Sequence, residues 1–145
     1  NKNTDLLLYM AARSENIDII KKSLNKKIIL IDRFTDSTIA YQHFGMGVDL
    51  NLIKTLNKFL LKNVKVNFTF LNIVNEKNLQ KRLNQRKSLN RYDKFKMSFY
   101  SKVQNGFIKL SKKQKNKYLL INSNQKIDKN EKLILSKIDG LIKWI

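Results

Sequence analysis

Five arginines stand out in a chain whose other cationic side chains are all lysine: Arg13, Arg33, Arg82, Arg86 and Arg91. Arginine presents a planar fork that binds phosphate or carboxylate through paired hydrogen bonds, whereas lysine is a point charge. The five gather at two places. Arg13 and Arg33 belong to an Asp32-Arg33 pair and the segment before it. Arg82, Arg86 and Arg91 flank a polar stretch between two expected helices, in and before a basic loop from Lys87 to Asp93. A basic loop of that kind can close over a polyphosphate and neutralise developing charge; spacing alone equally allows a solvated basic helix face. Tyr9 and Arg13 are four residues apart and share one helix face. Together they could stack on a base and bond its edge, or be a core tyrosine beside a surface arginine. Tyr41 and Gln42 carry the same two readings. His43, the lone histidine, has no partner pattern around it and is assigned no role.

The elements that must position these residues follow from periodicity. Leu6, Leu7, Met10, Ala11, Ile17, Ile20 and Leu24 predict a helix over about 5–24. Ile28-Ile29-Leu30-Ile31 is a short apolar run, expected as a strand buried on both faces, with Asp32-Arg33 at its carboxyl end. Gly45 and Gly47 mark the stretch 33–48. Helical spacing returns over about 50–61. A second strand is expected over 66–74, a basic helix over 76–86 and a polar loop over 87–93. A long helix follows over about 95–115, then a third strand at 118–121 and a closing helix over about 130–144. Helices alternating with strands imply crossover connections and a mainly parallel sheet.

Bulk composition bounds the function. The 145 residues are 42% hydrophobic and 10% aromatic, a globular composition for one domain. The absence of cysteine excludes a disulfide framework and a thiolate metal site, and suits a reducing cytoplasm. No segment approaches the ~18 consecutive apolar residues that a membrane span needs. Thirty basic against eleven acidic residues give +19, a field that favours phosphate-bearing partners. Abundant Lys, Asn and Ile also have A/T-rich codons, so codon bias is expected to supply most of that excess and the charge points only weakly to phosphate.

The residues then match a family. Leu6 to Arg13 (LLLYMAAR) resembles the thymidylate kinase helix that carries an aromatic residue and an arginine four apart. Asp32 to Gln42 (DRFTDSTIAYQ) resembles the family's DR-x-x-x-S-x-x-A-Y-Q stretch, and Gly45 to Asp49 its following turn. Asn90 to Asp93 resembles the end of the lid loop, Val103 to Leu110 the next helix, and Tyr118 to Asn122 the last strand. The resemblance implies a P-loop NTPase-like, three-layer α/β fold with a parallel sheet. It implies transfer of the ATP γ-phosphoryl group to dTMP, with Mg2+, in a cytoplasmic homodimer. Tyr9 would stack on the thymine and Arg13 would bond the base edge or nearby phosphate. Arg33 would hold the monophosphate, and Asp32 would sit near the magnesium and the transferred group. Thr38 would face the base, Tyr41 would crowd the sugar 2′ position, and Gln42 would join that shell. Arg82 would lie near the adenine. Arg86 would stabilise the transferring phosphoryl, supported by Arg91.

Some positions depart from the family pattern. Met46 stands where arginine is common, Asn90 where aspartate is common, and Tyr9 where phenylalanine is usual. Lys22 and Val66 replace usual prolines. No G-x-x-x-x-G-K-[ST] loop occurs in the 145 residues. They are therefore expected to be a single-domain fragment lacking the first strands and the P-loop. Within residues 1–145, that fragment comprises a monophosphate-binding part, a lid at about 82–94 and a carboxyl-terminal part; alone it is expected to be unstable and inactive. Three alternatives remain: a related P-loop nucleoside or nucleotide kinase, a relative that has lost catalysis, and a basic nucleic-acid-binding module. The last is disfavoured because no aromatic-interleaved basic strand is present.

Overall fold

The computed structural model describes residues 1–24, 26–88 and 90–143. Helix α1 (Lys2–Ser23) opens on Asn1, whose side chain accepts the Asn3 N–H at 2.9 Å and caps an otherwise orphaned donor. A short helix α2 (Thr35–Thr38) runs into a π-helical turn (Ile39–Gly45). Helix α3 (Leu50–Leu61) is capped by Asp49, which accepts from Leu52 N at 2.7 Å. Strand β1 (Thr69–Ile73) leads through the Asn75 cap into α4 (Glu76–Asn84). After a single 3-10 turn (Tyr92–Lys94) come α5 (Met97–Lys113), a second such turn (Lys115–Lys117), strand β2 (Tyr118–Asn122) and α6 (Ile127–Ile142).

The sheet among the described residues is one parallel pair, with Thr69 opposite Tyr118 and Ile73 opposite Asn122. Its crossover is α4 and α5, as parallel pairing requires. Leu71 and Ile121 are the buried members of the pair.

The apolar run at 28–31 departs from expectation. It forms no strand, and Asp32-Arg33 consequently follows irregular chain. Leu30 is 80% exposed, with Ile28 and Ile31 also on the surface; Ile29 alone of the run packs inward, against Ile17, Ile20 and Val64. β-Branched residues favour a pleated surface, but a strand exists only as a pairing, and this run meets no partner among the described residues. The α1 face is also narrower than the periodicity suggested: Leu6, Met10, Ile17 and Ile20 are buried, while Leu7, Ala11 and Leu24 are exposed. Expected helix limits at 24, 86 and 115 shorten to 23, 84 and 113. The closing helix starts three residues earlier than expected, and its expected end, Trp144, lies outside the described residues, as does Leu89 in the 87–93 loop.

Three apolar clusters position the site. Leu6 and Met10 of α1 meet Val48 and Ile53. Ile17 and Ile20 meet Val64. Ala40 meets Phe99 and Val103 of α5, surrounded by Tyr41, Tyr92, Phe95, Tyr100 and Phe107. In the third, the π turn and α5 approach so closely that glycine is required on both sides. A Cβ on Gly106 would stand 2.5 Å from Phe44 Cδ2 and 2.9 Å from its Cβ; one on Gly45 would stand 2.6 Å from Phe99 Cε2.

Gly106→Ala sets a helix-propensity gain of about 1 kcal/mol against overpacking of about 1–3 kcal/mol. The Phe44 Cβ is fixed to its backbone and cannot swing away, so overpacking wins. Denaturant unfolding of Gly106→Ala is expected to show a net loss of about 1–2 kcal/mol. Gly140→Ala, whose Cβ would meet nothing within 4 Å, is expected to gain up to about 1 kcal/mol.

Candidate functional site

Arg13 projects from α1 into the junction of α1, α2 and α3. It is 8% exposed. Nη1 donates to Asn57 Oδ1 at 2.8 Å and to Met10 Sδ at 3.6 Å; Nη2 donates to Thr38 Oγ1 at 2.7 Å and to the Phe34 carbonyl at 3.2 Å. All four terminal N–H bonds thus have protein acceptors, and the guanidinium also lies 5.4 Å from the Phe34 ring centroid. Burial lowers its pKa from the ordinary value. Thr38, 3% exposed, is engaged by this arginine.

Arg33 is different in kind. Its backbone adopts φ 62°, the left-handed region that non-glycine residues rarely occupy. Such strain, on the order of 1 kcal/mol, clusters at functional positions. Its guanidinium lies over the Tyr41 ring, 5.1 Å from the centroid. Burial works to lower its pKa, but contact with Tyr41 and the nearness of Asp32 and Tyr9 raise it overall. None of the ion pairs among the described residues involves Arg33, so its fork remains open to an anion. Asp32, Arg33 and Tyr9 are all exposed.

The π turn presents Tyr41 and Gln42. Met46 N donates to the Tyr41 carbonyl five residues back, at 3.0 Å, which defines the wider turn. Turns of this type recur at functional sites. Gln42, 1% exposed, donates through Nε2 to the Tyr92 hydroxyl at 3.4 Å. Tyr41 makes edge contacts with the rings of Tyr92, Phe99 and Phe107. Burial, reinforced by Tyr9 and Asp5, pushes the Tyr92 hydroxyl above its ordinary range. Met46 joins this aromatic cluster. His43 Nδ1 lies 2.8 Å from the Val48 carbonyl, a backbone tie within the turn.

The basic loop divides its arginines. Arg82 Nη2 donates to the Ser123 carbonyl at 2.6 Å, at the end of β2. Arg86 pairs with Asp93, and Arg91 with Asp5 at 2.7 Å. The Asn90 backbone N–H, and then Arg86, hold the Asp93 carboxyl below the usual carboxylate range. Asn90 Oδ1 in turn accepts the N–H groups of Tyr92 and Asp93, so the asparagine caps this turn.

The structure therefore brings Tyr9, Asp32, Arg33, Tyr41, Gln42 and Tyr92 together, with Arg13 and Thr38 locked beneath. Arg82 lies apart, at the end of the sheet. Sequence reasoning missed Asn57, Tyr92, Asp5 and Tyr118. Tyr118 Oη donates to Asp36 Oδ2 at 2.5 Å and ties β2 to the start of α2. Asn57 could have been suspected as a polar residue on the buried face of an apolar helix. The Tyr118 link, 82 residues away in sequence, carried no local signal. Two concavities, about 430 Å³ at Lys112–Lys117 and about 300 Å³ between Arg86, Asp93 and Met97, do not enclose this cluster.

Arg13→Lys replaces four donors in a fork by one ammonium and strands the Asn57 oxygen in the interior. A loss of about 2–3 kcal/mol is expected in denaturant unfolding; a loss under about 0.5 kcal/mol would overturn the hub assignment.

The thymidylate kinase family model matches residues 1–134. A thymidylate kinase from Geotalea daltonii is 33% identical over 147 aligned residues, covering 95% of this chain and 69% of the relative. One from a Wolbachia of Brugia malayi is 35% identical, covering 88% and 62%. Among solved structures, the thymidylate kinase from Ehrlichia chaffeensis superposes with a TM-score of 0.71 at 32% identity, covering 97% of this chain and 67% of that one. The chain thus spans about two thirds of the length of these relatives, as those coverages give.

Proposed function

This chain belongs to the thymidylate kinase family, and we propose that it forms the acceptor half of an active site that phosphorylates dTMP from ATP. The P-loop NTPase-like α/β class agrees with the parallel pair and the structural relative. The observation that carries the reading is Arg33. It is a strained, exposed arginine stacked on Tyr41, in none of the ion pairs among the described residues, beside Tyr9 on α1. A fork held that way is pre-organised for a phosphate monoester, and pre-organised charge is what phosphoryl transfer needs from a protein.

In this reading the monophosphate sits on Arg33. The thymine lies against Tyr9, above the floor that Arg13 and Thr38 fix. Tyr41, wedged by Phe99 and Phe107, crowds the sugar 2′ position. An oxygen of the held monophosphate attacks the ATP γ-phosphorus as the bond to ADP breaks. Arg86 moves from Asp93 toward the transferring group, Arg91 supports the loop, and Arg82 meets the adenine. Magnesium ordinarily takes one or two protein carboxylates and relies on substrate phosphates for the rest. Asp32 fits that mode: it is exposed beside Arg33, and no group of three or more acidic, histidine or cysteine ligands occurs among the described residues. The ion would neutralise charge on the phosphates. Among the described residues no helix is long and apolar enough to cross a membrane, and cytoplasmic action is part of the proposal.

ATP-dependent ADP release should be measured on the whole protein that carries this chain. Turnover of dTMP is expected, and Arg33→Ala should lower kcat/KM about a hundredfold, the size of one lost charge-stabilising contact. Equal turnover of uridylate would remove Tyr41 as a sugar gate; no turnover of any nucleoside monophosphate would overturn the reading. Residues 1–145 alone are expected to be inactive in the same assay.

Self-association is also proposed, because Leu7, Leu8 and Ile19 of α1 and Phe59 of α3 leave apolar surface exposed. Sedimentation of the whole protein at micromolar concentration should give a dimer, and a monomer there would sink the idea.

A further inference from the structure

The Asp5–Arg91 pair belongs to none of the contacts assigned above to base, sugar or phosphate. Asp5 lies in the first turn of α1, one turn before Tyr9 and two before Arg13, and is 8% exposed. Its Oδ1 accepts from Arg91 Nη1 across 86 residues of sequence. Its Oδ2 is buried and has no hydrogen-bond partner among the described residues. A carboxylate so placed is tolerated only if paired, and the helix N-terminus offsets part of the desolvation. Arg91 supplies the pairing charge.

What Arg91 brings with it gives the pair its meaning. The next residue, Tyr92, stands edge-on to the Tyr41 ring at 5.6 Å and accepts from Gln42. Its carbonyl accepts from Tyr100 Oη at 2.7 Å. The residue after that, Asp93, holds Arg86. Three consecutive residues therefore fasten the loop to three different places: α1, the π turn and the Arg86 side chain. The first of these fastenings is an ion pair to the helix that carries Tyr9 and Arg13, and the Tyr92 hydroxyl lies beside Tyr9 of the same helix.

We propose that Asp5 is a positioning residue: its ion pair with Arg91 latches the Arg91–Asp93 segment onto α1 and so seats Tyr92 against the Tyr41 wall of the acceptor site. Asp5 touches no substrate atom in this scheme. Its effect on catalysis rests on the reading that Arg33 and Tyr41 face a nucleoside monophosphate; its mechanical part does not.

The test uses the whole protein and two readouts. Asp5→Asn keeps the shape and removes the charge. Backbone amide exchange at residues 91–95, without nucleotide, is expected to accelerate at least tenfold, while amides of β1 and β2 stay unchanged. Arg91→Gln should give the same acceleration, and the double variant no more than either single one. In steady state, Asp5→Asn should raise KM for dTMP about fivefold or more and change kcat less than twofold. Unchanged exchange at 91–95, additive effects, or equal acceleration at β1 and β2 would each overturn the latch. Faster exchange with an unchanged KM overturns the positioning role. Should Asp5→Asn fail to fold, Arg91→Gln carries the exchange and KM readouts, since Arg91 is half-exposed, and its kcat, which also reports support of Arg86, is left out of the comparison. Wild-type protein that does not phosphorylate dTMP, but shows the exchange pattern, overturns the functional reading and leaves the latch standing.

Discussion

The buried Arg13 guanidinium is the constraint around which the candidate site is arranged. An arginine in the interior is tolerable only when its fork is fully met, because a stranded donor or charge costs more than the bond itself contributes. Here Asn57 from α3, Thr38 from α2, the Phe34 carbonyl from the preceding loop and Met10 from α1 meet it together. Four pieces of chain are thereby fixed to one plane. The loop that ends at Phe34 carries Asp32 and Arg33, so the strained backbone of Arg33 is held by a neighbour that is itself held. Strain of this kind persists only where the surroundings over-determine it.

The second constraint is steric. The π turn and α5 meet through Gly45 and Gly106 at distances no Cβ would allow, and the resulting closeness packs the Tyr41 ring among Phe99, Phe107 and Tyr92. Tyr41 thereby becomes a rigid wall with a cation over its exposed face. The same aromatic cluster receives Tyr92, and through it the basic loop. Packing and loop position are one arrangement here: the contacts that bury the α5 face also decide how far the loop stands from α1.

Electrostatics then sorts the arginines. In a chain carrying +19, carboxylates are scarce, and each one that pairs with an arginine does so at a specific place. Asp5 takes Arg91 and Asp93 takes Arg86. Arg82 settles for a backbone carbonyl and Arg13 for neutral acceptors. Arg33 is left with an aromatic face. The result is a positive field in which Arg33, at the strained turn, is the one described arginine without a carboxylate or carbonyl partner.

Much of this could be read from the sequence. Apolar periodicity located α3 to the residue and β1, α4, α5 and β2 to within a few residues, because local propensity and tertiary packing agree there. The arginine inventory and the DRFTDSTIAYQ match drew attention to Arg13, Arg33, Thr38, Tyr41 and Gln42, since those side chains are defined by their chemistry and by fixed spacing along the chain. The Ile28–Ile31 run was misjudged because strand formation depends on a partner that propensity does not supply. The division of labour among the arginines was also invisible. Whether a guanidinium is buried in a hub, paired to a carboxylate or left open depends on groups 44, 86 or 7 residues away. Sequence determined which residues could bind phosphate; only the tertiary structure decided which of them is free to, because that depends on which acceptors the fold brings within hydrogen-bonding distance.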